Sequence, residues 1–101
     1  MAETFLARRD VMRVVDELLD QCLGLLEAGD PPAHFPDPHE YLRGRDIEPP
    51  APSTLMLRHT VGPIGAEPMM PVCPDGSRNC YPRCREIKGQ QVCTWICDCP
   101  G

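Results

Sequence analysis

Cysteine is the residue type in this chain whose number and spacing could do chemistry. Seven of the 101 residues are cysteines, and six of them lie between positions 73 and 99. Cys80 and Cys84 are four residues apart, and Cys97 and Cys99 are two residues apart. Thiols at this density form disulfides, bind a metal ion or are modified enzymatically. The C-terminal region is therefore the candidate functional region.

Two elements are expected to position these thiols. Asn79 is a favourable N-cap and Gly89 is a favourable residue after a helix end, which predicts a short helix over 80–88. The β-branched and aromatic residues of Gln90–Cys99 predict a strand. Cysteines four apart on a helix, or two apart on a strand, share one face, so disulfides could join the two elements. Among several open pairings, this geometry favours Cys80–Cys97, Cys84–Cys99 and Cys73–Cys93.

The cysteine order also resembles that of a known family. A lone cysteine, a C-x3-C pair, a lone cysteine and a C-x-C pair are typical of the cysteine-stabilised αβ, defensin-like family. The residues that follow this order are Cys73, Cys80, Cys84, Cys93, Cys97 and Cys99. The resemblance implies a secreted, disulfide-bonded peptide with toxin or antimicrobial activity. Because only three residues separate Cys93 from Cys97, we expect a single strand here, paired with 53–61, instead of the family's final hairpin.

A metal site is the alternative use of the same thiols. Four thiolates can enclose a zinc ion tetrahedrally, and such a site suits a reducing compartment. The candidate ligands are Cys80, Cys84, Cys97 and Cys99. The paired C-x2-C spacing that is typical of zinc sites is not present, so the main prediction is disulfides with no cofactor.

An amphipathic helix is predicted near the N-terminus, over residues 4–28. Its apolar residues recur at intervals of three and four, with Thr4 as N-cap and Gly29 after its end. A lone helix cannot bury such a stripe, so the stripe packs within this chain or docks on a partner protein. The predicted partner-binding face consists of Phe5, Met12, Val15, Leu19 and Leu26. Cys22 lies in the same stripe and is predicted to be a buried apolar residue.

The middle of the chain is rich in proline, with eleven of the thirteen prolines between 31 and 74. Proline disfavours helix interiors and central strands, which predicts a linker over 31–72. Two short elements are expected within it: a helix over 38–43, with Asp37 as N-cap, and a strand over 53–61. The predicted fold is a small Cys-rich α+β protein with three regions, an acidic helix in 1–30, this linker, and a Cys-rich module in 73–101.

Charge and motifs argue against several function classes. The net charge is −5 and the pI is near 5.0, which disfavours a nucleic-acid binder. The sequence has no apolar run long enough for a transmembrane segment. It also contains no Gly-rich phosphate loop, HExxH or GxSxG motif, so we expect a non-enzymatic protein.

The N-terminus shows no secretory signal pattern, although the cysteines suit an oxidising compartment. We therefore expect a chain that is cytoplasmic as synthesised, with a tail that is exported or secreted after processing. The helix would be a pro-segment, or would dock on a processing or export enzyme, and the tail would be the active part. An alternative is a ribosomally synthesised peptide precursor with a leader helix and an enzymatically modified Cys-rich core.

Overall fold

The computed structural model describes residues 5–29, 34–49 and 54–99. One turn of 3-10 helix, Phe5–Ala7, precedes helix α1, Arg9–Glu27, and a short helix α2, Pro38–Arg43. Three strands follow: β1, Thr54–Gly62; β2, Cys80–Ile87; and β3, Gln90–Cys99. The α+β class predicted from the sequence is confirmed.

The three strands form one antiparallel sheet with β3 in the centre and β1 and β2 at its edges. Thr54 lies opposite Cys99 and Gly62 lies opposite Gln91, so β1 pairs along almost all of β3. This confirms the expected pairing of 53–61 with the last strand. Residues 63–79 connect the two edge strands and therefore cross the central strand; we call them the crossover segment.

The two faces of the sheet have different coverings. Helix α1 packs on the face that we call the helix face, whose buried side chains include Leu55, Val92, Thr94 and Ile96. The opposite face, the disulfide face, carries the cysteines of β2 and β3 together with Trp95. The crossover segment lies on the disulfide face, where Cys73 bonds to Cys99 and Gly65 N donates to Gln91 Oε1.

Local signals set both ends of α2 and the end of α1. Helix α2 has the predicted bounds, because the Asp37 carboxylate accepts a hydrogen bond from His39 N at 2.8 Å and Pro38 occupies the first helical position. Gly29 has a φ of 89° after the end of α1, as its sequence position predicts. The proposed N-cap Thr4 lies outside the described residues, and Arg8 occupies the N-cap position of α1.

The predicted helix over 80–88 is wrong, because these residues form strand β2. Lys88 and Gly89 have φ values of 51° and 76°, the backbone of a two-residue hairpin turn between β2 and β3. Asn79 O accepts a hydrogen bond from Asp98 N at 2.9 Å, so Asn79 extends the strand pairing instead of capping a helix. Pro82 is tolerated because β2 is an edge strand.

Candidate functional site: the disulfide-bonded hairpin

Three disulfides join the six C-terminal cysteines: Cys73–Cys99, Cys80–Cys97 and Cys84–Cys93. Two of them link residues directly opposite one another in the β2–β3 hairpin, each with a Cα–Cα distance of 4.0 Å. The third attaches the crossover segment to the last residue of β3, with a Cα–Cα distance of 5.6 Å. The site is therefore a hairpin with two covalent cross-strand links and a covalently anchored segment over it.

The structure contains one of the three favoured pairs, Cys80–Cys97. The pairs Cys84–Cys99 and Cys73–Cys93 are wrong, because they depended on a helix over 80–88. In a hairpin, partners lie at equal distances from the turn. Cys84 and Cys93 are the fourth residues before and after the Lys88–Gly89 turn, and Cys80 and Cys97 are the eighth. This symmetry is the sequence signal that could have identified both pairs.

The three disulfides differ in their access to solvent. Cys84 is exposed and Cys80 is half-buried, whereas their partners Cys93 and Cys97 are 1% and 2% exposed. An open cleft of about 350 Å³ lies beside Cys84 and is also lined by Ile64 and Gln91. The disulfide nearest the hairpin turn is therefore the most exposed of the three.

A polar side chain contacts this disulfide from the disulfide face. Gln91 lies two residues before Cys93 on β3, and its Nε2 donates to Cys93 Sγ at 3.8 Å. Its Oε1 accepts from Gly65 N at 3.3 Å. Gln91 and Cys93 also line a cleft of about 190 Å³ beneath the crossover segment. Gln91 is not among the predicted site residues, although two-residue periodicity in a strand places it on the cysteine-bearing face.

The cysteines of the alternative zinc set are all bonded to sulfur. Cys80 and Cys97 are bonded to each other, while Cys84 and Cys99 belong to two other disulfides. A disulfide sulfur is not the thiolate that zinc requires. Within the part of the chain that the structure describes, no group of three or more His, Cys, Asp or Glu side chains could hold a metal ion.

Cys22 is the free cysteine among the described residues, and it lies on α1 with no exposed surface. Its predicted burial is confirmed. Burial raises the pKa of its thiol to about 11, because the apolar surroundings disfavour the thiolate. The thiol is therefore protonated and shielded at neutral pH, which makes it unreactive toward disulfides and alkylating agents.

The predicted partner-binding face of the helix packs against the chain's own sheet. Val15 and Leu19 are fully buried, and Phe5, Met12 and Leu26 are partly buried against the same apolar clusters. The assignment of these residues as an open docking face is wrong, because β3 and its neighbours already cover them. The stripe is a core element, which was the other interpretation of its pattern.

Charged side chains of α1 meet arginines of β2 at the margin of this packing. Arg85 pairs with Asp20 at 2.6 Å and with Glu27 at 3.7 Å, and Arg83 approaches Asp16 at 4.0 Å. Burial, and then the neighbouring Asp16 carboxylate, raise the pKa of Tyr81 above its ordinary value. The acidic side of the helix thus faces the basic side of the hairpin.

Comparison with known proteins gives no match to a protein family, to a curated protein or to a solved structure. In the described residues, no helix is long and apolar enough to cross a membrane. The structure does contain a Cys-rich αβ arrangement with three disulfides. Its helix comes from the N-terminal part of the chain and not from the 73–99 segment.

Proposed function

We propose that this chain is a non-enzymatic, precursor-like protein in which the disulfide-bonded module 73–101 is the effector. In this proposal α1 masks the effector, which means that it covers the effector's binding surface. The effector would act by binding, in the manner of a defensin-like or toxin-like peptide. In this proposal the helix keeps the apolar face of the hairpin covered until the two parts separate.

The confinement of the cross-links supports this proposal most directly. All three disulfides join residues within 73–99, and no disulfide links this segment to α1 or β1. A backbone cut between Gly62 and Cys73 would therefore leave α1 attached to the module by non-covalent contacts alone. Disulfide-dense small modules commonly persist without a large core, which suits an effector that works alone.

The charge distribution gives further support. Arg83 and Arg85 of the module face acidic side chains of α1, so the helix neutralises the basic surface as well as covering the apolar one. Removal of α1 would expose Val92, Thr94 and Ile96 and would take away the acidic partners of both arginines. A surface with apolar and basic groups side by side is suited to binding a partner.

One observation favours a second candidate function, that of a binding protein that remains whole. Strand β1 pairs with β3 over nine residues, so a cut in the crossover segment does not by itself remove β1. Separation requires these backbone pairs and the α1 packing to break together. In the second candidate, the helix is a permanent part of the core and the disulfide face is the binding surface.

A specific protease site distinguishes the two candidates. The site is inserted between Gly65 and Ala66, which are both exposed, and the oxidised full-length chain is compared before and after cleavage. We expect the intact chain to be inactive in bacterial growth-inhibition and vesicle-leakage assays, and the cleaved chain to become active as the module dissociates. Size-exclusion chromatography of the same samples measures that dissociation.

The control is the same insertion with a scrambled, uncleavable site. If the cleaved chain dissociates and remains inactive in both assays, the masked-effector proposal is wrong. If the intact chain is as active as the cleaved one, the second candidate replaces it.

A further inference from the structure

We propose that the Cys84–Cys93 disulfide is a thiol-exchange site, at which a low-molecular-weight thiol forms a mixed disulfide with Cys84 and releases Cys93 as a free thiol. This inference concerns the folded chain and does not depend on cleavage or on an effector function. It assigns distinct roles to two cysteines that would otherwise serve only as a structural link.

Access to sulfur selects this disulfide. Exchange requires a thiolate to reach one sulfur of the bond, so an exposed sulfur reacts before a buried one. Cys84 is exposed and borders the open cleft of about 350 Å³. This cleft is open, so a small thiol can enter it. Its ionisable side chains, Arg85 and Glu86, carry opposite charges, so the cleft favours neither acidic nor basic thiols.

The other two disulfides are less accessible to solvent. Cys73 and Cys99 are 4% and 2% exposed. Cys80 is half-buried, and its Sγ lies 3.5 Å from Pro71 O of the crossover segment. The crossover segment restricts the approach of a thiol to these bonds. Their exchange should therefore require larger opening of the structure.

The leaving sulfur has a stabilising partner in the folded state. When a thiolate attacks Cys84, the electron pair of the broken bond goes to Cys93 Sγ, which is buried. Gln91 Nε2 donates toward this sulfur at 3.8 Å, and a donor stabilises developing negative charge in a buried position. Gln91 is thus a positioning residue for the departing thiolate.

The hairpin should remain folded after exchange. Eight residue pairs define the β2–β3 register, and Ile87 and Val92 pack against Leu23 of α1. Cys80–Cys97 still links the strands. The exchange is therefore a local event near the turn.

The balanced step is RSH plus the Cys84–Cys93 disulfide giving Cys84–S–SR and Cys93–SH. The bond between the two cysteine sulfurs breaks and one between Cys84 Sγ and the incoming sulfur forms. The proton of RSH ends on Cys93. No other oxidant or reductant is needed, because one disulfide is exchanged for another.

The test treats the oxidised full-length protein with reduced glutathione under native conditions, quenches at intervals with N-ethylmaleimide in guanidinium chloride so that buried thiols are labelled, and maps the peptides by mass spectrometry. We expect the first product to carry glutathione on Cys84 and maleimide on Cys93, with Cys22 labelled at every time point. Labelling of the other four disulfide cysteines should appear later. If Cys80–Cys97 or Cys73–Cys99 opens first, or if all three open at one rate, the proposal is wrong.

Two variants test the role of Gln91. Gln91→Leu should slow formation of the Cys84 adduct about fivefold, which corresponds to one net hydrogen bond of about 1 kcal/mol. Gln90→Leu changes the neighbouring exposed residue and should leave the rate unchanged. Equal rates in both variants would remove Gln91 from the proposal, and the order of opening in the unmodified chain would still decide the exchange site.

Discussion

The two faces of the central strand are stabilised by different physical means. On the helix face, Ile96 and Val92 are buried against aliphatic side chains of α1, and no covalent bond joins the two layers. On the disulfide face, Cys93, Cys97 and Cys99 each bond to another segment. One strand thus takes part in a conventional apolar core and in a cross-linked layer that has little aliphatic content.

This difference shows how a short chain supplements a limited core. Domains of this size bury a smaller fraction of their surface than larger domains do, and disulfides add stability by reducing the entropy of the unfolded chain. We therefore expect reduction of the disulfides to weaken the disulfide face and truncation of aliphatic side chains to weaken the helix face. The two changes should lower the free energy of unfolding separately.

The largest expected effect is that of complete reduction. Loss of one native disulfide from a small domain typically costs about 2–5 kcal/mol, and three such losses approach or exceed the usual total stability of about 5–15 kcal/mol. We expect the fully reduced chain to lose its cooperative urea transition in circular dichroism at 25 °C. A Cys22→Ala chain, reduced in the same way, is the control for the free thiol and should also lose the transition. Retention of a native-like transition after complete reduction would show that the helix face is sufficient.

Truncation of the aliphatic core is the next largest effect. Leu19 is fully buried in the cluster that contains Ile96, so Leu19→Ala removes apolar contacts and leaves a cavity. The free energy of unfolding of the oxidised protein should fall by about 2–5 kcal/mol in urea titrations. The control Val61→Ala alters a side chain that is 53% exposed and should change the value by less than about 0.5 kcal/mol. A small effect of Leu19→Ala would mean that α1 does not pack as described.

These two layers also differ in how well the sequence predicts them. The stripe of α1 and the caps of α2 are local signals that agree with the tertiary structure, so the bounds of α2 and the end of α1 were predicted correctly. The predicted start of α1 was too early, because Phe5–Ala7 form a turn of 3-10 helix and α1 begins at Arg9. Strand β3 was predicted because its β-branched and aromatic residues agree with burial on both faces.

The hairpin was mispredicted because its signals are ambiguous. Gly89 favours positive φ both after a helix and in a two-residue turn, and cysteines four apart share a face in a helix and in a strand. The predicted disulfide pairing depended on the assignment of 80–88 as a helix, so two of the three predicted pairs were wrong as well. The coverage of β3 by the crossover segment is a tertiary property, and no local pattern in 63–79 encodes it.

Alkaline pH should weaken the helix face through Cys22. Burial raises the pKa of this thiol from 9.0 to about 11, so above pH 9 the unfolded chain loses this proton while the folded chain keeps it. The unfolded state then binds fewer protons, and the contribution of Cys22 to stability declines between about pH 9 and pH 11. In urea titrations across this range, the stability of the parent chain should fall relative to Cys22→Ala. A constant difference between the two would show that the thiol is not desolvated.

A buried hydrogen bond between α1 and β3 gives a smaller effect. Thr94 Oγ1 donates to Leu19 O at 3.0 Å, and Thr94 is 1% exposed. Thr94→Val keeps the shape of the side chain and removes the donor, which should lower the free energy of unfolding by about 1 kcal/mol. The matched substitution Thr54→Val, at an exposed position in β1, should have little effect. Thermal unfolding of both oxidised variants measures the difference.

The smallest expected effect concerns the ion pairs at the margin. Arg85→Gln removes contacts with Asp20 and Glu27, which are exposed, so the loss should be about 0–1 kcal/mol and should shrink at high salt. Arg78→Gln is the control, because Arg78 is exposed and makes no ion pair with a described residue. Urea titrations at low and high salt compare the two variants. A large, salt-independent loss in Arg85→Gln would assign a structural role to this arginine.

The central claim is that the C-terminal module contains three disulfides, two of which link opposite residues of the β2–β3 hairpin, and that Cys22 remains a thiol. The most direct measurement is the intact mass of the unreduced protein, followed by proteolytic mapping of its disulfide-linked peptides. We predict a mass lower than that of the all-thiol chain by six hydrogen atoms, with the links Cys73–Cys99, Cys80–Cys97 and Cys84–Cys93. An all-thiol mass, a mass difference that reduction does not reverse, or links between Cys84 and Cys99 would contradict the claim.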